Sequence, residues 1–323
     1  MKRIALFGAF DENKLKYLKE NIPESYEVVT ASKDEPEKVE DADYIATRTV
    51  RMNADFLKRF SKVKLISKWG VGYDSIDIEA AGKQGIAVAV CTGGNAQPVA
   101  EMTVALMLSV LRHICEMNAQ MKQGIYDRST YPKTAYLLGG KTIGLIGIGN
   151  IAKRVAKITG SGFGCRILYN DVFQLSREKE MELGVQYAEI DEIMGTADII
   201  SVHVPLLSST RDLIDERRLR MMKPTGIIIN TARGGIVNEE ALCKVLKEGR
   251  IFGAGVDAFV SETPSLADEL LTCPNCVTTP HAGGSAVDND ANMAEICIRN
   301  ILEYDHTNDI SMKTIVNRDF LVR

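Results

Sequence analysis

The sequence has no apolar run long enough to cross a membrane and no excess of positive charge. A transmembrane helix needs roughly 20 consecutive apolar residues. The start, MKRIALFGAF, turns charged at Asp11, so we interpret it as a first β-strand rather than a signal peptide. The net charge of −4 argues against a general binder of nucleic-acid backbones, which needs a basic face. These absences predict a cytoplasmic protein that binds neither membranes nor nucleic acid.

The cysteines argue against both disulfides and metal. The seven cysteines are odd in number, scattered and mostly embedded in apolar runs, as is typical of reduced thiols. Cys273 and Cys276 have C-x-x-C spacing in CPNCVTTPHAGG, five residues before His281. A structural zinc site needs four ligands, and the sequence has no second C-x-x-C. A redox pair is expected at a helix N-terminus, whereas Pro274 and Asn275 predict a turn into a strand. We therefore predict no metal site here and interpret CPNC as a turn.

Short apolar segments alternate with charged amphipathic segments along the whole chain. A length of 323 residues favours two domains, and both halves show the alternation. Apolar segments such as RIALFG and IAVAV in the first half, and CRILYND and GIIINTA in the second, predict parallel strands covered on both faces. The pattern therefore predicts an α/β protein with two doubly wound parallel sheets.

The region between the two halves has a different pattern. Residues 98–124 are apolar on several sides at helical spacing and predict one long buried helix. Residues 126–140 are polar and contain proline and glycine, which predicts an exposed arm. The stretch from about residue 290 is again helical and is expected to fold back onto the first domain.

A glycine-rich turn in the second half has the pattern of a dinucleotide-binding loop. Gly147, Gly149 and Ala152 fit G-x-G-x-x-A, directly after an apolar strand and at the start of a predicted helix. The glycines permit a tight turn and a close approach of pyrophosphate to the backbone, and the helix N-terminus offers free N–H groups. Asp171 ends the next strand, about 20 residues on. A carboxylate there accepts hydrogen bonds from ribose hydroxyls and repels a 2′-phosphate, so the loop predicts NAD rather than NADP.

Further motifs occur in the order in which one enzyme family has them. They are GVGYDSID at 70–77, NAQPVAE at 95–101, HVPL at 203–206, NTARGGIVNEEAL at 230–242, GAGVDAFVSETP at 253–264 and TPHAGG at 279–284. The chain thereby resembles the D-isomer-specific 2-hydroxyacid dehydrogenases. The resemblance implies a Rossmann NAD domain, residues 98–289, inserted into a flavodoxin-like substrate domain made of residues 1–97 and 290–323. It also implies a homodimer, and hydride transfer between NADH and C2 of a small 2-keto or 2-hydroxy acid.

The resemblance assigns Arg233, Glu262 and His281 as catalytic residues. Each follows a predicted strand, so each is expected at the carboxyl edge of the sheet, where open α/β folds bind ligands. Arg233 suits the substrate carboxylate because a guanidinium forms two parallel hydrogen bonds with it. His281 suits the proton transfer because imidazole titrates near working pH. Glu262 suits a supporting role because a nearby carboxylate favours imidazolium.

The same resemblance implies further binding residues. The cofactor contacts beyond the glycines and Asp171 are Asn150, Ile151, Val204, Pro205, Thr210, Thr231, Ala232, Arg233, Asp257 and His281. The substrate contacts are the N–H groups of Val71 and Gly72, the side chain of Asn95, and Arg233. Arg48 and Arg51 are candidates to meet the far end of the substrate, although a solvated charged loop explains that pair equally well.

The sequence leaves the substrate open. Glyoxylate or hydroxypyruvate, 3-phosphoglycerate, and larger branched or aromatic keto acids all fit, and the chain is most similar to phosphoglycerate dehydrogenases and hydroxypyruvate–glyoxylate reductases. Phosphite dehydrogenases share the three catalytic residues. Formate dehydrogenases fit less well, because Glu262 stands where they typically have glutamine. A different class, the NAD-sensing corepressors of the C-terminal-binding-protein type, keeps the three residues but binds peptides, and we rank it below an enzyme.

Overall fold

Two compact units, each built on one parallel β-sheet, make up the structure. This computed structural model describes residues 1–261, 263–265 and 268–321. The first unit is Met1–Asn95 with Ser285–Arg323, and the second is Ala96–Gly284. Every strand pairing within the two sheets is parallel, which confirms the predicted α/β class with two doubly wound sheets.

The first unit has a five-stranded sheet. Its strands are β1 (Lys2–Gly8), β2 (Tyr26–Ala31), β3 (Tyr44–Arg48), β4 (Leu65–Lys68) and β5 (Ala87–Val90). They lie in the order β2-β1-β3-β4-β5, which is the flavodoxin-like order. The helices are α1 (Glu12–Glu20), α2 (Ala54–Leu57), α3 (Ile78–Lys83) and a C-terminal helix, Asp290–Thr307. The C-terminal helix belongs to this unit together with the N-terminal strands.

Both faces of this sheet are buried, because successive side chains of a strand point to opposite faces. Along β1, Ile4 and Leu6 pack into the cluster that contains Leu18 of α1 and the C-terminal helix. Ala5 and Phe7 pack into the opposite cluster. This double burial explains why the strands are continuous apolar runs.

The second unit has a seven-stranded sheet. Its strands are β6 (Thr142–Ile146), β7 (Arg166–Asn170), β8 (Val185–Tyr187), β9 (Ile199–Val202), β10 (Ile227–Asn230), β11 (Gly253–Val256) and β12 (Cys276–Thr278). They lie in the order β12-β11-β10-β9-β6-β7-β8. The direction of the strand order changes between β9 and β6, which is where doubly wound sheets form a ligand crevice at their carboxyl edge. The Rossmann fold predicted for this unit is confirmed.

The helices of the second unit follow the strand-to-helix alternation. They are α4 (Ala96–Leu111), α5 (Ile114–Lys122), α6 (Tyr131–Thr134), α7 (Asn150–Phe163), α8 (Arg177–Leu183), α9 (Ile190–Thr196), α10 (Glu216–Met221) and α11 (Glu239–Lys247). The side chain of Asn238 caps α11 by accepting the N–H of Ala241 at 2.9 Å. Gly249 follows this helix with a φ of 63°. Both features match the sequence signals for the start and end of α11.

The prediction of one long helix over residues 98–124 is wrong. His113 has a φ of 53°, and α4 and α5 are bent by 65° around it. A left-handed residue cannot continue the helical hydrogen-bond ladder, so the helix ends at Leu111 and restarts at Ile114. Helix α4 is largely buried, whereas α5 has no buried residue. In the part of the chain that the structure describes, no single helix is long and apolar enough to cross a membrane. Within those residues, only the bent pair of α4 and α5, taken together, has that length and composition.

Candidate active site

The glycine-rich turn after β6 has the geometry of a phosphate loop. Gly147 has a φ of 97°, and a Cβ there would lie 2.8 Å from the carbonyl oxygen of His203. Gly149 caps α7 without a side chain, and a Cβ there would meet no atom within 4 Å. Ala152 is buried against the sheet. The first amides of α7 are therefore open to an anion, which fits the pyrophosphate of a dinucleotide.

Asp171 lies beside this loop and holds its backbone. One carboxylate oxygen accepts the N–H of Ile148 at 2.8 Å, and the other accepts the N–H of Phe173 at 3.3 Å. The following residues, VFQLS, include no basic side chain that could bind a 2′-phosphate. The carboxylate therefore lies at the end of β7, where dinucleotide-binding motifs have the acidic residue that contacts the ribose. These residues fit NAD.

Replacing Asp171 with serine is expected to weaken NADH binding and to reduce the preference for NADH over NADPH. The substitution removes the ribose acceptor and the charge that opposes a 2′-phosphate. Titration of both cofactors by nucleotide fluorescence measures the two dissociation constants. Glu192→Ser, which removes an exposed carboxylate on α9, is the matched control. Comparable kcat/KM for NADH and NADPH in the unmodified protein would contradict the assignment.

The loop after β9 carries three further residues of the predicted cofactor site. Val204 and Pro205 follow the strand after one intervening residue, His203. The Thr210 hydroxyl accepts the N–H of Leu207 at 2.7 Å and donates to the carbonyl of Pro205 at 2.6 Å. Thr210 therefore closes this loop on itself. A direct contact between its hydroxyl and the cofactor stays a prediction.

The turn after β10 presents Arg233. The Asn230 side chain accepts the N–H of Ala232 at 3.1 Å and donates to the carbonyl of Arg233 at 2.9 Å, so one amide bridges the turn. The half-buried Arg233 side chain donates from Nη1 to the carbonyl of Ala232 at 2.7 Å. Asn230 is a positioning residue that the sequence analysis missed. An asparagine that ends a buried strand before a turn is the signal that could have identified it.

The residues on either side of Arg233 are packed tightly. Thr231 lies with its hydroxyl 2.8 Å from that of Thr103 on α4, so its side chain is engaged within the unit. A Cβ on Gly234 would lie 2.0 Å from the carbonyl carbon of Phe259. These contacts fix the backbone on both sides of Arg233.

Asp257, at the end of β11, holds the loop that carries His281. One of its oxygens accepts the hydroxyl of Thr279 at 2.5 Å and the N–H of Ala282 at 2.9 Å. The other accepts the N–H of Gly283 at 2.9 Å. The Asp257 side chain is buried, whereas His281 is exposed and has a φ of 52°. The carboxylate predicted to contact the cofactor therefore also positions the histidine, a role that the sequence analysis missed.

Three neighbouring strands bring these segments to one edge. Strands β10, β11 and β12 are adjacent and parallel. Arg233, Asp257 and His281 follow their carboxyl ends in turn, and the N–H of Asp257 donates to the carbonyl of Asn230 at 2.9 Å. The phosphate loop follows β6 at the same edge of the sheet. Glu262, the third predicted catalytic residue, lies outside the residues that the structure describes.

In the first unit, the predicted carboxylate anchor follows β4. Val71 and Gly72 are half-buried, and within the described chain neither N–H makes a backbone hydrogen bond. The preceding residue, Gly70, has a φ of 116° and accepts the N–H of Cys91 at 2.8 Å. This turn leaves two adjacent amides available for an anion. Asn95 follows β5 and so belongs to the same carboxyl edge of the five-stranded sheet.

The two arginines predicted for the far end of the substrate have different surroundings. Arg48 ends β3 and donates from Nη1 to the carbonyl of Ala9 at 2.8 Å. Thr49 has a φ of 56°, so the chain turns sharply between the two arginines. Arg51 is exposed. Both residues lie at the carboxyl edge of their sheet, and Arg48 also holds the loop after β1.

The CPNC segment is a turn, as predicted. Asn275 has a φ of 48°, and its side chain donates to the carbonyl of Phe252 at 2.8 Å. Strand β12 begins at the next residue, Cys276. Among the described residues, no three histidine, cysteine, aspartate or glutamate side chains form a metal-binding group.

Comparison with known proteins identifies the family. Residues 104–283, more than half of the chain, match the model described as "D-isomer specific 2-hydroxyacid dehydrogenase, NAD binding domain". A glyoxylate reductase of Thermococcus litoralis is 38% identical over 276 residues, covering 83% of this chain and 82% of the relative. A hydroxypyruvate reductase of Thermotoga maritima is 37% identical over 260 residues, covering 79% and 83%. The NAD-complexed D-isomer specific 2-hydroxyacid dehydrogenase of Lactobacillus delbrueckii ssp. bulgaricus superposes with a TM-score of 0.81 at 26% identity, covering 98% and 100%.

The chain belongs to the D-isomer specific 2-hydroxyacid dehydrogenase family. It is an NAD-dependent oxidoreductase that transfers hydride between NADH and C2 of a small 2-keto or 2-hydroxy acid. The resemblance found in the sequence motifs is thereby confirmed at the level of family, reaction and cofactor.

Proposed function

We propose that Arg233 and His281 are the residues that act on the substrate. NADH supplies the hydride to C2. Arg233 pairs with the substrate carboxylate and polarises the keto oxygen, and His281 donates the proton that this oxygen receives. The observation that carries the proposal is the shared sheet edge on which β10 and β12 present both residues, with Asp257 fixing the histidine loop.

Three supporting roles complete the proposed site. Glu262 favours the protonated form of His281, because a neighbouring carboxylate stabilises imidazolium. The N–H groups of Val71 and Gly72 form a second anchor for the substrate carboxylate, and their open amides support this role. Asn95, which follows β5 at the carboxyl edge of the five-stranded sheet, approaches the substrate as well. The first unit thus acts as the substrate domain.

We propose glyoxylate and hydroxypyruvate as the preferred substrates. The support is the named activity of two relatives that are 38% and 37% identical. Initial rates of NADH oxidation with a panel of glyoxylate, hydroxypyruvate, phosphohydroxypyruvate, and branched and aromatic 2-keto acids test the proposal. The two small acids should give the highest kcat/KM. A higher value for a branched or aromatic acid would overturn the preference. NAD reduction by phosphite, or NADH binding without turnover of any acid, would point to the alternatives considered above.

Replacing Arg48 and Arg51 together with alanine is expected to raise KM mainly for phosphohydroxypyruvate and to leave kcat for glyoxylate nearly unchanged. Contacts remote from the reacting carbon contribute mainly to substrate binding. Because Arg48 also holds the carbonyl of Ala9, the single variant Arg51→Ala separates the charge effect from loosening of that loop. Steady-state kinetics with both acids make the comparison. Equal rises in KM for the two acids would show that the arginines do not distinguish a distal phosphate.

We propose that the protein is a homodimer that associates through the segment around α5. Five large apolar side chains there are each at least 47% exposed, namely Ile114, Met121, Ile125, Tyr126 and Leu137. Exposed apolar side chains concentrated in one stretch of the chain, here residues 114–137, support an interface there.

Ile125→Glu with Tyr126→Glu is expected to convert the dimer to monomer. The two carboxylates would have to be desolvated in an apolar interface. Sedimentation velocity measures the species, and Met181→Glu, at an apolar side chain 74% exposed on α8, is the matched control. A dimer that persists in the double variant would exclude this segment as the interface.

We propose a cytoplasmic location. The support is that the seven cysteines are free thiols, five of them buried, which suits a reducing compartment. Cell fractionation followed by immunodetection tests this assignment, and recovery in the secreted fraction would contradict it.

A further inference from the structure

We propose that Cys243 and Cys273 form a reversible intramolecular disulfide when the protein meets a hydroperoxide. Cys243 lies on α11, and Cys273 follows the 3₁₀ helix Glu269–Thr272. Their Sγ atoms are 2.7 Å apart, and a disulfide bond is about 2.05 Å long. The bond therefore requires only a small approach of two side chains that already touch.

The pairing differs from the one that the C-x-x-C spacing suggests. Cys276, the other cysteine of CPNC, begins β12 and pairs in register with Ala254 of β11. Cys273 lies before the turn and meets Cys243, which is 30 residues earlier in the chain. Tertiary packing between α11 and the segment before β12 therefore selects the thiol partner.

A polar chain connects this buried pair to solvent. The thiols are 4% and 7% exposed. Cys243 Sγ lies 3.5 Å from a carboxylate oxygen of Glu269, which pairs with Lys247 Nζ at 2.7 Å. The Lys247 ammonium lowers the pKa of Glu269, so the carboxylate is ionised at neutral pH. Burial raises the pKa of Cys273. Cys243 is therefore the thiol of the pair that contacts a solvent-exposed carboxylate.

The reaction balances with a hydroperoxide as oxidant. Glu269 accepts the Cys243 proton, and the thiolate attacks the peroxide oxygen and breaks the O–O bond. The leaving oxygen takes the proton from Glu269 and departs as an alcohol or water. The resulting Cys243 sulfenic acid is then attacked by the Cys273 sulfur. The S–S bond forms and the sulfenic hydroxyl leaves as water, taking up the thiol proton. A dithiol reverses the step by exchange and is itself oxidised.

The disulfide would strengthen the second unit without displacing its active-site residues. Both thiols already belong to one apolar cluster, so oxidation joins side chains that pack together in the reduced protein. The cross-link closes a loop that contains β11 and Asp257. Cross-linking restricts the unfolded chain, and we expect the melting temperature to rise by about 5–10 °C, with kcat unchanged.

Intact-mass spectrometry tests the proposal on a Cys115→Ser background, which removes the exposed thiol. Mild hydrogen peroxide should lower the mass by about 2 Da, and dithiothreitol should restore it. Tryptic digestion should join GGIVNEEALCK to the peptide that carries Cys273. That peptide, residues 251–299, also carries Cys276 and Cys297. Cys276→Ser should retain the mass loss, because this thiol takes no part in the proposed link. Cys243→Ser and Cys273→Ser should abolish it and the gain in melting temperature.

Three results would overturn the proposal. The first is that the protein with only the Cys115→Ser substitution shows no mass loss of about 2 Da. The second is that the mass loss persists in Cys243→Ser, and the third is that it disappears in Cys276→Ser. Circular dichroism establishes that each variant folds, and Cys243→Ala serves if the serine variant does not. Fragmentation of the linked peptide from the Cys276→Ser protein distinguishes Cys273 from Cys297, which lies on the same tryptic peptide. It therefore identifies the Cys243–Cys273 link independently of the serine variants at those two positions.

Discussion

Replacing His281 with alanine is expected to lower kcat for keto-acid reduction by about 10²–10⁴-fold, the usual contribution of a positioned general acid. The affinity for NADH should change little, because the phosphate loop and Asp171 follow other strands. The histidine loop should keep its conformation, because Asp257 binds the backbone of Ala282 and Gly283 rather than the imidazole. Stopped-flow and steady-state kinetics, with NADH titrated by fluorescence, separate the two effects.

Two further variants sharpen this prediction. His306→Ala removes an exposed histidine of the first unit and should leave kcat unchanged. Glu262→Gln should retain activity but shift the pH profile of reduction to lower pH, because the imidazolium loses its carboxylate partner. A His281→Ala protein with native kcat would contradict the proton-transfer role. The cysteines of the stretch from Cys273 to Cys276 would then have to be considered as the reactive groups instead.

Replacing Arg233 with alanine is expected to lower kcat/KM by about 10²–10³-fold. Removing one member of a buried, hydrogen-bonded charge pair costs about 2–5 kcal/mol, and the substrate carboxylate would lose that partner. Arg233→Lys should restore only part of the activity, because an ammonium cannot form the two parallel hydrogen bonds of a guanidinium. The loop should stay folded, since the Asn230 side chain bonds the backbone of the turn.

Steady-state kinetics with glyoxylate and hydroxypyruvate measure this loss. Arg217→Ala is the matched control, because Arg217 is an exposed arginine paired with Asp191 in the same unit. If Arg233→Ala and Arg217→Ala had equal and small effects, Arg233 would be a surface charge without a substrate role.

Most of the strands that the sequence revealed have both faces buried. Strands β4, β5, β9 and β10 consist entirely of buried residues, and their continuous apolar runs predict them directly. Strands β2 and β8 were not predicted; they lie at sheet edges and are only partly buried. Periodicity records burial, so edge strands with exposed side chains give a weak signal.

The break between α4 and α5 was not predictable from apolar spacing alone. His113 adopts a left-handed conformation although it is not glycine, and its ring lies 5.3 Å from that of Tyr131 and 5.4 Å from that of Phe252. Contacts with residues distant in the sequence therefore stabilise the bend. Local propensity does not contain this information.

The residues of the site likewise divide into those that the sequence identified and those that only the folded structure revealed. Glycines, arginine and histidine in family motifs identified the residues proposed to act on cofactor and substrate. The residues that hold them, Asn230 and Asp257, act through hydrogen bonds to backbone groups across a turn or a neighbouring strand. The contact between Cys243 and Cys273 likewise joins two segments that only the folded chain brings together.

The measurement that tests the central claim most directly is the stereochemistry of hydroxypyruvate reduction by the unmodified protein with NADH. Hydroxypyruvate yields a chiral 2-hydroxy acid, whereas glyoxylate yields an achiral one. Chiral chromatography of the glycerate formed, with NADH oxidation followed in parallel, shows whether reduction occurs and which face of the keto group receives the hydride. The account predicts D-glycerate in an amount equal to the NADH consumed. L-glycerate, or NADH binding without any product, would contradict it.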